Sequence, residues 1–402
     1  MSARPAGAAE RRRALGLAAV IVSTFFLGLT HGIGYPLTAI SFERWGAPAW
    51  TTGLAAGMPA LAALVLLPFA PAIAARLGFV PAMVGGALVG LAGFALLPAF
   101  QSVEAWMALR FLMGLGLLLP WLLGETWINA VSSDATRGRI LGIYVVALFG
   151  GYGAGPILLG HLPDDGRAPF LVGVGALAMA ALPLALAWRL APAMEPHGGS
   201  GGVLAMLRLA PVGMIGALAS GVLEYAFIAL LPSFGLRSGL GEAEALLLVS
   251  AFLWGGVALS LPFGWLADRM PRERLMLALL VAFVALAGPM LLVVGNPALA
   301  IATTFVLGGV ACAYYTIGLA ILGARVAPAD LASANAAFLV LYQFGTLAGP
   351  PAAGAALDAW SGPGFIGAAI LFVVATVAAV AVLSRRAPPV RPAGATATCE
   401  AG

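Results

Sequence analysis

Apolar residues in this chain do not alternate with polar ones. They come in long runs, broken by short clusters of arginine, acid, glycine and proline. A bilayer-crossing helix needs about 20 mostly apolar residues, and twelve such runs are legible, at about 15–40, 51–74, 80–99, 105–127, 139–160, 168–188, 209–233, 244–267, 275–295, 297–321, 331–356 and 364–384. The pattern predicts an all-α membrane protein with twelve transmembrane helices. The first run follows Arg11-Arg12-Arg13, as in a signal peptide. It is too long and lacks a small-residue cleavage site, so it reads as a retained helix.

The runs repeat. Pro68-Phe69-Ala70 recurs 194 residues later as Pro262-Phe263-Gly264, and Gly155-Pro156 with Gly160 recurs as Gly349-Pro350 with Gly354. A long-period repeat has to be recognised first, because it sets the architecture. It predicts two pseudo-symmetric six-helix bundles, over 1–190 and 209–386. Between them lies a Gly/Ser-rich cytoplasmic linker, 191–208, and after them a disordered cytoplasmic tail, 387–402. The G-x-S-x-G at Gly198 to Gly202 lacks the strand and helix that a nucleophile elbow needs, so it carries no hydrolase chemistry.

Composition narrows the class. Of 402 residues, 62% are apolar and 9% charged. A soluble domain carries about 25% charged residues, so lipid is the expected solvent. All 20 basic residues are arginine. Without lysine, a P-loop for ATP and a lysine Schiff base are both excluded. The net charge of +4 is dispersed and does not suggest nucleic acid. With the N-terminus in the cytoplasm, sixteen arginines fall on the cytoplasmic side. Arg44, Arg167 and Arg237 fall outside, and Arg110 lies within a span. The positive-inside rule then places both termini in the cytoplasm of a bacterial inner membrane. Cys312 and Cys399 are too far apart in setting to pair. His31, His161 and His197 are isolated, and Asp164-Asp165 is a lone acidic pair on an external loop, so no metal or cofactor is expected.

Several segments resemble the major facilitators. Gly264-Trp-Leu-Ala-Asp268-Arg269-Met-Pro-Arg272-Glu-Arg274 is similar to their signature loop between the second and third helices of a half. Gly155-Pro156-Ile-Leu-Leu-Gly160 resembles their fifth-helix motif, and Arg110-Phe-Leu-Met-Gly114-Leu-Gly116 their fourth-helix motif. Glu125-Thr-Trp127-Ile-Asn129 with Arg137-Gly138-Arg139, and Glu224-Tyr-Ala-Phe-Ile-Ala-Leu-Leu-Pro232, resemble the YcaD-like bacterial branch. The resemblance implies alternating access around a midplane site, with helices one, four, seven and ten lining the cavity. The first-half signature loop departs from the pattern: Ala74-Ala75 stand where Asp268-Arg269 stand in the second.

The candidate residues follow from the cost of polar groups in lipid. A charge at the centre of a span costs roughly 2.5–3.5 kcal/mol on insertion scales. Glu224, Glu125 and His31 are the candidates for proton coupling, Glu224 first because it lies deepest. Arg110, Tyr35, Trp121, Trp127, Tyr225, Tyr314 and Tyr315 are candidates for the substrate cavity. Structural pairing or packing is the competing reading for each. Gly151, Gly155, Pro156, Gly349 and Pro350 suit close helix packing and flexing. Gly264, Asp268, Arg269, Arg272 and Arg274 form a cytoplasmic gating loop, in which Asp268 is expected to face Arg137-Gly138-Arg139 and hold that side shut.

The reading is a monomeric secondary transporter that moves a small organic solute, with proton-coupled efflux favoured over uptake or facilitated diffusion. Its partners are the substrate, protons and the lipid bilayer. A membrane enzyme would need clustered catalytic chemistry that the sequence lacks. A non-transporting sensor or scaffold would not need charges within its spans.

Overall fold

The computed structural model describes residues 6–163, 166–192, 210–326 and 330–386. The tail from 387, with Cys399, lies outside the described residues. So do His197, Asp164-Asp165 and all but two residues of the linker 191–208.

Twelve long helices follow one another among the described residues, with no strand. They are α1 (Ala6–Arg44), α2 (Ala49–Leu77), α3 (Phe79–Leu96), α4 (Val103–Val131), α5 (Asp134–Leu159) and α6 (Ala168–Leu186). The second half repeats the series as α7 (Pro211–Arg237), α8 (Glu242–Ala267), α9 (Arg272–Val293), α10 (Pro297–Arg325), α11 (Leu331–Ala359) and α12 (Pro363–Arg386). Eleven are long and apolar enough to cross a membrane. The exception, α11, is also 29 residues long but carries Asn335, Tyr342, Gln343 and a proline pair.

Two expected spans differ in outline. The first begins at Ala6 rather than near residue 15, and its extra turns are anchored. Arg12 donates to the Arg189 carbonyl at 3.0 Å, and Arg13 to Thr136 at 3.3 Å. The second is interrupted at Leu67–Phe69 by a 3₁₀ turn that contains Pro68. A proline inside a helix removes an N–H donor and clashes with the preceding turn.

The 194-residue repeat is visible as packing. In the first half α1 packs on α5, α2 on α4, and α3 on α4 and α6. In the second, α7 packs on α11, α8 on α10, and α9 on α10 and α12. Glycine permits the closest of these contacts. A Cβ at Gly155 of α5 would collide with the Gly32 backbone of α1, and one at Gly349 of α11 with Val222 of α7. Small residues at such crossings let helix backbones approach.

The halves meet along α1 with α7, α2 with α11, and α5 with α8. Gly53 of α2 lies against the Pro350 carbonyl, and Gly153 of α5 lies under the Trp254 ring of α8. The alternation of the helices puts the start of α1 and the end of α12 at one end of the molecule, the terminal end. The α1–α2 and α7–α8 turns lie at the far end.

Candidate functional site

Polar side chains converge where the halves meet. Arg110, 3% exposed, extends from α4 towards α1 and α2. Its Nε donates to the Ala55 carbonyl at 3.0 Å. Its Nη1 donates to the Gly34 carbonyl and to Thr38 Oγ1, both at 3.0 Å. The guanidinium carbon lies 4.4 Å from the centre of the Tyr35 ring, a cation–π distance. A buried guanidinium is thus held by neutral acceptors and one ring face, and three helices of the first half are tied together. Thr30, His31, Gly34, Pro59, Arg110 and Met113 border a cavity of about 20 Å³, room for a single water.

Glu224 of α7 is 4% exposed and differently placed. Ser220, one turn earlier, donates to it at 3.3 Å, a long contact. The Tyr342 side chain of α11 lies beside it. Aromatic rings and the Cys312 thiol make up its other recorded neighbours. Tyr225 stands edge-on to Tyr35 across the junction of the halves, with ring centres 5.7 Å apart, and edge-on to Tyr342 at 6.1 Å. Tyr342 stands edge-on to Tyr315 at 5.2 Å. His31 stacks on Tyr152 at 5.3 Å and on Tyr35 at 6.0 Å. Its Nδ1 lies 2.8 Å from the Leu27 carbonyl. A carbonyl only accepts, so this nitrogen carries the proton.

Depth orders these groups. At a rise of 1.5 Å per residue from the far end of each helix, Arg110 lies about 10 Å deep, Glu224 about 20 Å, Tyr315 about 27 Å and Glu125 about 33 Å. Tyr35 lies near both Arg110 and Glu224, and Tyr315 near both Glu224 and Glu125. Glu125 is half-buried towards the terminal end. Of the aromatic cavity candidates, Tyr35, Tyr225 and Tyr315 are therefore brought together. The other three are not. Trp127, 1% exposed, packs edge-on against Phe79 inside the first half. Tyr314, 0% exposed, donates to the Leu279 carbonyl inside the second. Trp121 packs in the Trp127 cluster.

Tyr152 and Tyr342 belong to this centre and are absent from the sequence-based candidates. Each lies on a glycine-rich helix read there as packing. A lone tyrosine beside such a glycine run is the signal that could have marked them.

The far end is closed by ion pairs, two of which cross between the halves. Arg237 at the end of α7 meets Glu43 of α1 at 2.9 Å and Asp358 of α11 at 2.9 Å. Asp358 in turn accepts the backbone N–H groups of Ala49 and Trp50, at 2.8 and 3.0 Å, at the start of α2. Arg44 meets Glu242 at 2.7 Å. Glu43 and Arg237 are 194 residues apart, the period of the repeat. Equivalent positions near a pseudo-two-fold axis face each other across it, so opposite charges at such positions are a detectable sequence signal.

The terminal end is arranged differently. Asp268 follows the last residue of α8, is exposed, and carries no ion pair among the described residues. The contact expected between Asp268 and Arg137-Gly138-Arg139 is not formed in this conformation. Arg269 lies 3.8 Å above the Trp265 ring. Arg272 donates to the Ala320 carbonyl at 2.9 Å, and Arg274 is exposed. Gly264 has open space around it.

The Major Facilitator Superfamily profile matches residues 15–249 and again 213–398. The MFS-type transporter YfkF of Bacillus subtilis is 28% identical over 339 residues, covering 81% of this chain and 85% of its own length. The MFS-type transporter YcaD of Salmonella enteritidis is 26% identical over 305 residues, 75% of this chain and 78% of its own. Among solved structures, a bacterial homologue of the human lysosomal transporter Spinster, inward-facing and occupied, superposes with a TM-score of 0.74 at 15% identity, covering 96% of this chain and 98% of that one. The nucleoside transporter NupG superposes with a TM-score of 0.71 at 14% identity, covering 92% and 98%. Twelve helices in two repeated bundles, with polar groups at the junction, accord with this kinship. The chain belongs to the major facilitator superfamily: it is a multi-pass membrane protein and a secondary transporter, not an enzyme.

Proposed function

We propose that this transporter exports a small organic solute across a bacterial inner membrane in exchange for protons, with both termini in the cytoplasm. The observation that carries the reading is Glu224. It is a carboxyl buried at mid-depth, with Ser220 and tyrosines around it, at the junction that must move in alternating access. A carboxylate in that position is costly unless it gains a proton or a cationic partner, so its occupancy is bound to the movement of the halves. Positive-inside orientation makes the ion-paired far end the outer face, and the conformation inward-facing. The inward-facing state of the Spinster homologue agrees with that reading. Glu125, on the terminal side of Glu224, and His31, at the same depth in the first half, extend the proton route. The bundles over 1–190 and 209–386 rock as units, and the protein works as a monomer.

The test needs no substrate. Spin labels on the two halves, one pair at each end, are followed by double electron–electron resonance in lipid nanodiscs between pH 5 and pH 8. Acidification is expected to shift the distance distributions in the wild type and not in Glu224→Gln. A pH response that survives this substitution removes Glu224 from the coupling step.

A further inference from the structure

The same centre indicates the chemical class of the cargo, an inference that rests on the transporter reading above. We propose that Glu224 and the rings of Tyr225, Tyr342 and Tyr315 bind an organic cation with an apolar body.

The charges argue first. Arg110 has three of its five N–H donors engaged by Ala55, Gly34 and Thr38 and is covered by Tyr35. It also lies on the far-end side of Tyr35, away from Glu224. Below Tyr35 the acids of the candidate site are Glu224, buried, and Glu125, half-buried, while Arg137, Arg139 and Arg274, at the depth of Glu125, are exposed. No arginine is recorded beside either acid among the described residues, and the chain has no lysine. The immediate surroundings of Glu224 are therefore negative whenever its carboxyl is ionised. A cavity walled by one sign of charge in a low-dielectric medium concentrates ions of the other sign.

The rings argue second. Tyr225, Tyr342 and Tyr315 meet edge to face, so in each pair one ring gives one face to its neighbour's edge and keeps its other face. All three are only partly buried, whereas Tyr35 and Tyr152 above them are buried. Aromatic faces beside a carboxylate are what binds a weakly hydrated organic cation, through cation–π attraction and apolar contact together. Glu125 lies about 13 Å further along the axis, too far for one compact cationic centre to reach both acids. The charge of the cargo sits at Glu224, and Glu125 is the next station on the terminal side.

Proton exchange then follows from occupancy. The titratable groups around Glu224 are Tyr35, Tyr152, Tyr225, Tyr315, Tyr342 and Cys312. None of these is a base that would hold the carboxylate ionised. A proton and the cation compete for one site.

Tetraphenylphosphonium and tetraphenylborate make a matched pair of ions, alike in size and shape and opposite in charge. Binding of each to the purified protein in nanodiscs is measured with radiolabelled ion, against protein-free discs. Tetraphenylphosphonium should bind at neutral pH, be displaced on acidification, and bind at least tenfold more tightly than tetraphenylborate. Glu224→Gln should weaken it at least tenfold. Tyr342→Phe, which keeps the ring, should retain binding that Tyr342→Ala loses. Equal binding of the two ions, or cation binding indifferent to Glu224, overturns the proposal. A pH-driven distance change without cation preference overturns the cargo class and leaves proton coupling standing; loss of both brings down the reading beneath it.

Discussion

The two halves share one helical plan and treat their buried charges in opposite ways. In the first half Arg110 is held by partners of that half: Nε and Nη1 donate to two backbone carbonyls and a threonine hydroxyl, and a tyrosine face covers it. In the second, Glu224 has a long hydrogen bond from Ser220 of its own helix, the Tyr342 side chain beside it and other rings for neighbours. The signature loops contrast as well. The first carries Ala74-Ala75, and the second keeps Asp268 and Arg269, with Asp268 exposed. A charge whose partners are supplied by its own half is a fastener. A charge left short of partners at the junction is available to something that comes and goes. The first half thus provides a rigid anchor, and the second carries the groups whose partners change.

Arg110→Leu tests the fastener most severely. It strands the Ala55 carbonyl and loosens α1, α2 and α4 from one another. An orphaned buried polar group costs about 1–3 kcal/mol, and the Gly34 carbonyl and the Thr38 hydroxyl lose a charged donor as well. Thermal unfolding in detergent should show a loss of about 3 kcal/mol or more for Arg110→Leu and under about 1 kcal/mol for Glu224→Gln. The opposite order would break the comparison.

The next effect concerns the far end, where the second half supplies the hub. Arg237→Ala removes both ion pairs that Arg237 makes with Glu43 and Asp358. A coupling of about 1–3 kcal/mol would move the conformational ratio five- to 150-fold. Spin labels flanking the α1–α2 and α7–α8 turns should report longer distances. Unaltered distances would mean that packing alone keeps this end closed.

Asp268→Asn should have the smallest effect and the opposite sign. Its carboxylate has no ion-pair partner among the described residues, so its contribution belongs to the state in which the terminal end is shut. An exposed pair of this kind is worth about 0–1 kcal/mol. Labels at the terminal end should show a modest gain in the open population. Ala74→Asp added to that variant should reverse part of it, since it restores the acid missing from the first half. Distributions that do not change in either variant would leave Asp268 without a role in gating.

Twelve apolar runs, the 194-residue period, the absence of lysine and the family motifs all stand in the amino-acid sequence. They determined the fold class and the superfamily without coordinates. Glu224 and Arg110 were legible for the same reason: lipid penalises charge so heavily that one buried residue stands out in a run of twenty. What the sequence could not decide was direction around the helix axis. A soluble helix shows its inner face as an apolar stripe, but in lipid both faces are apolar and the stripe disappears. Trp127 and Tyr314 therefore looked equivalent to Tyr35 and Tyr225. Only packing turned the first two into the cores of their own halves and the others, with Tyr152 and Tyr342, towards the centre. The Glu43–Arg237–Asp358 cluster likewise needed three helices from two halves to meet, and that meeting is a property of the tertiary structure alone.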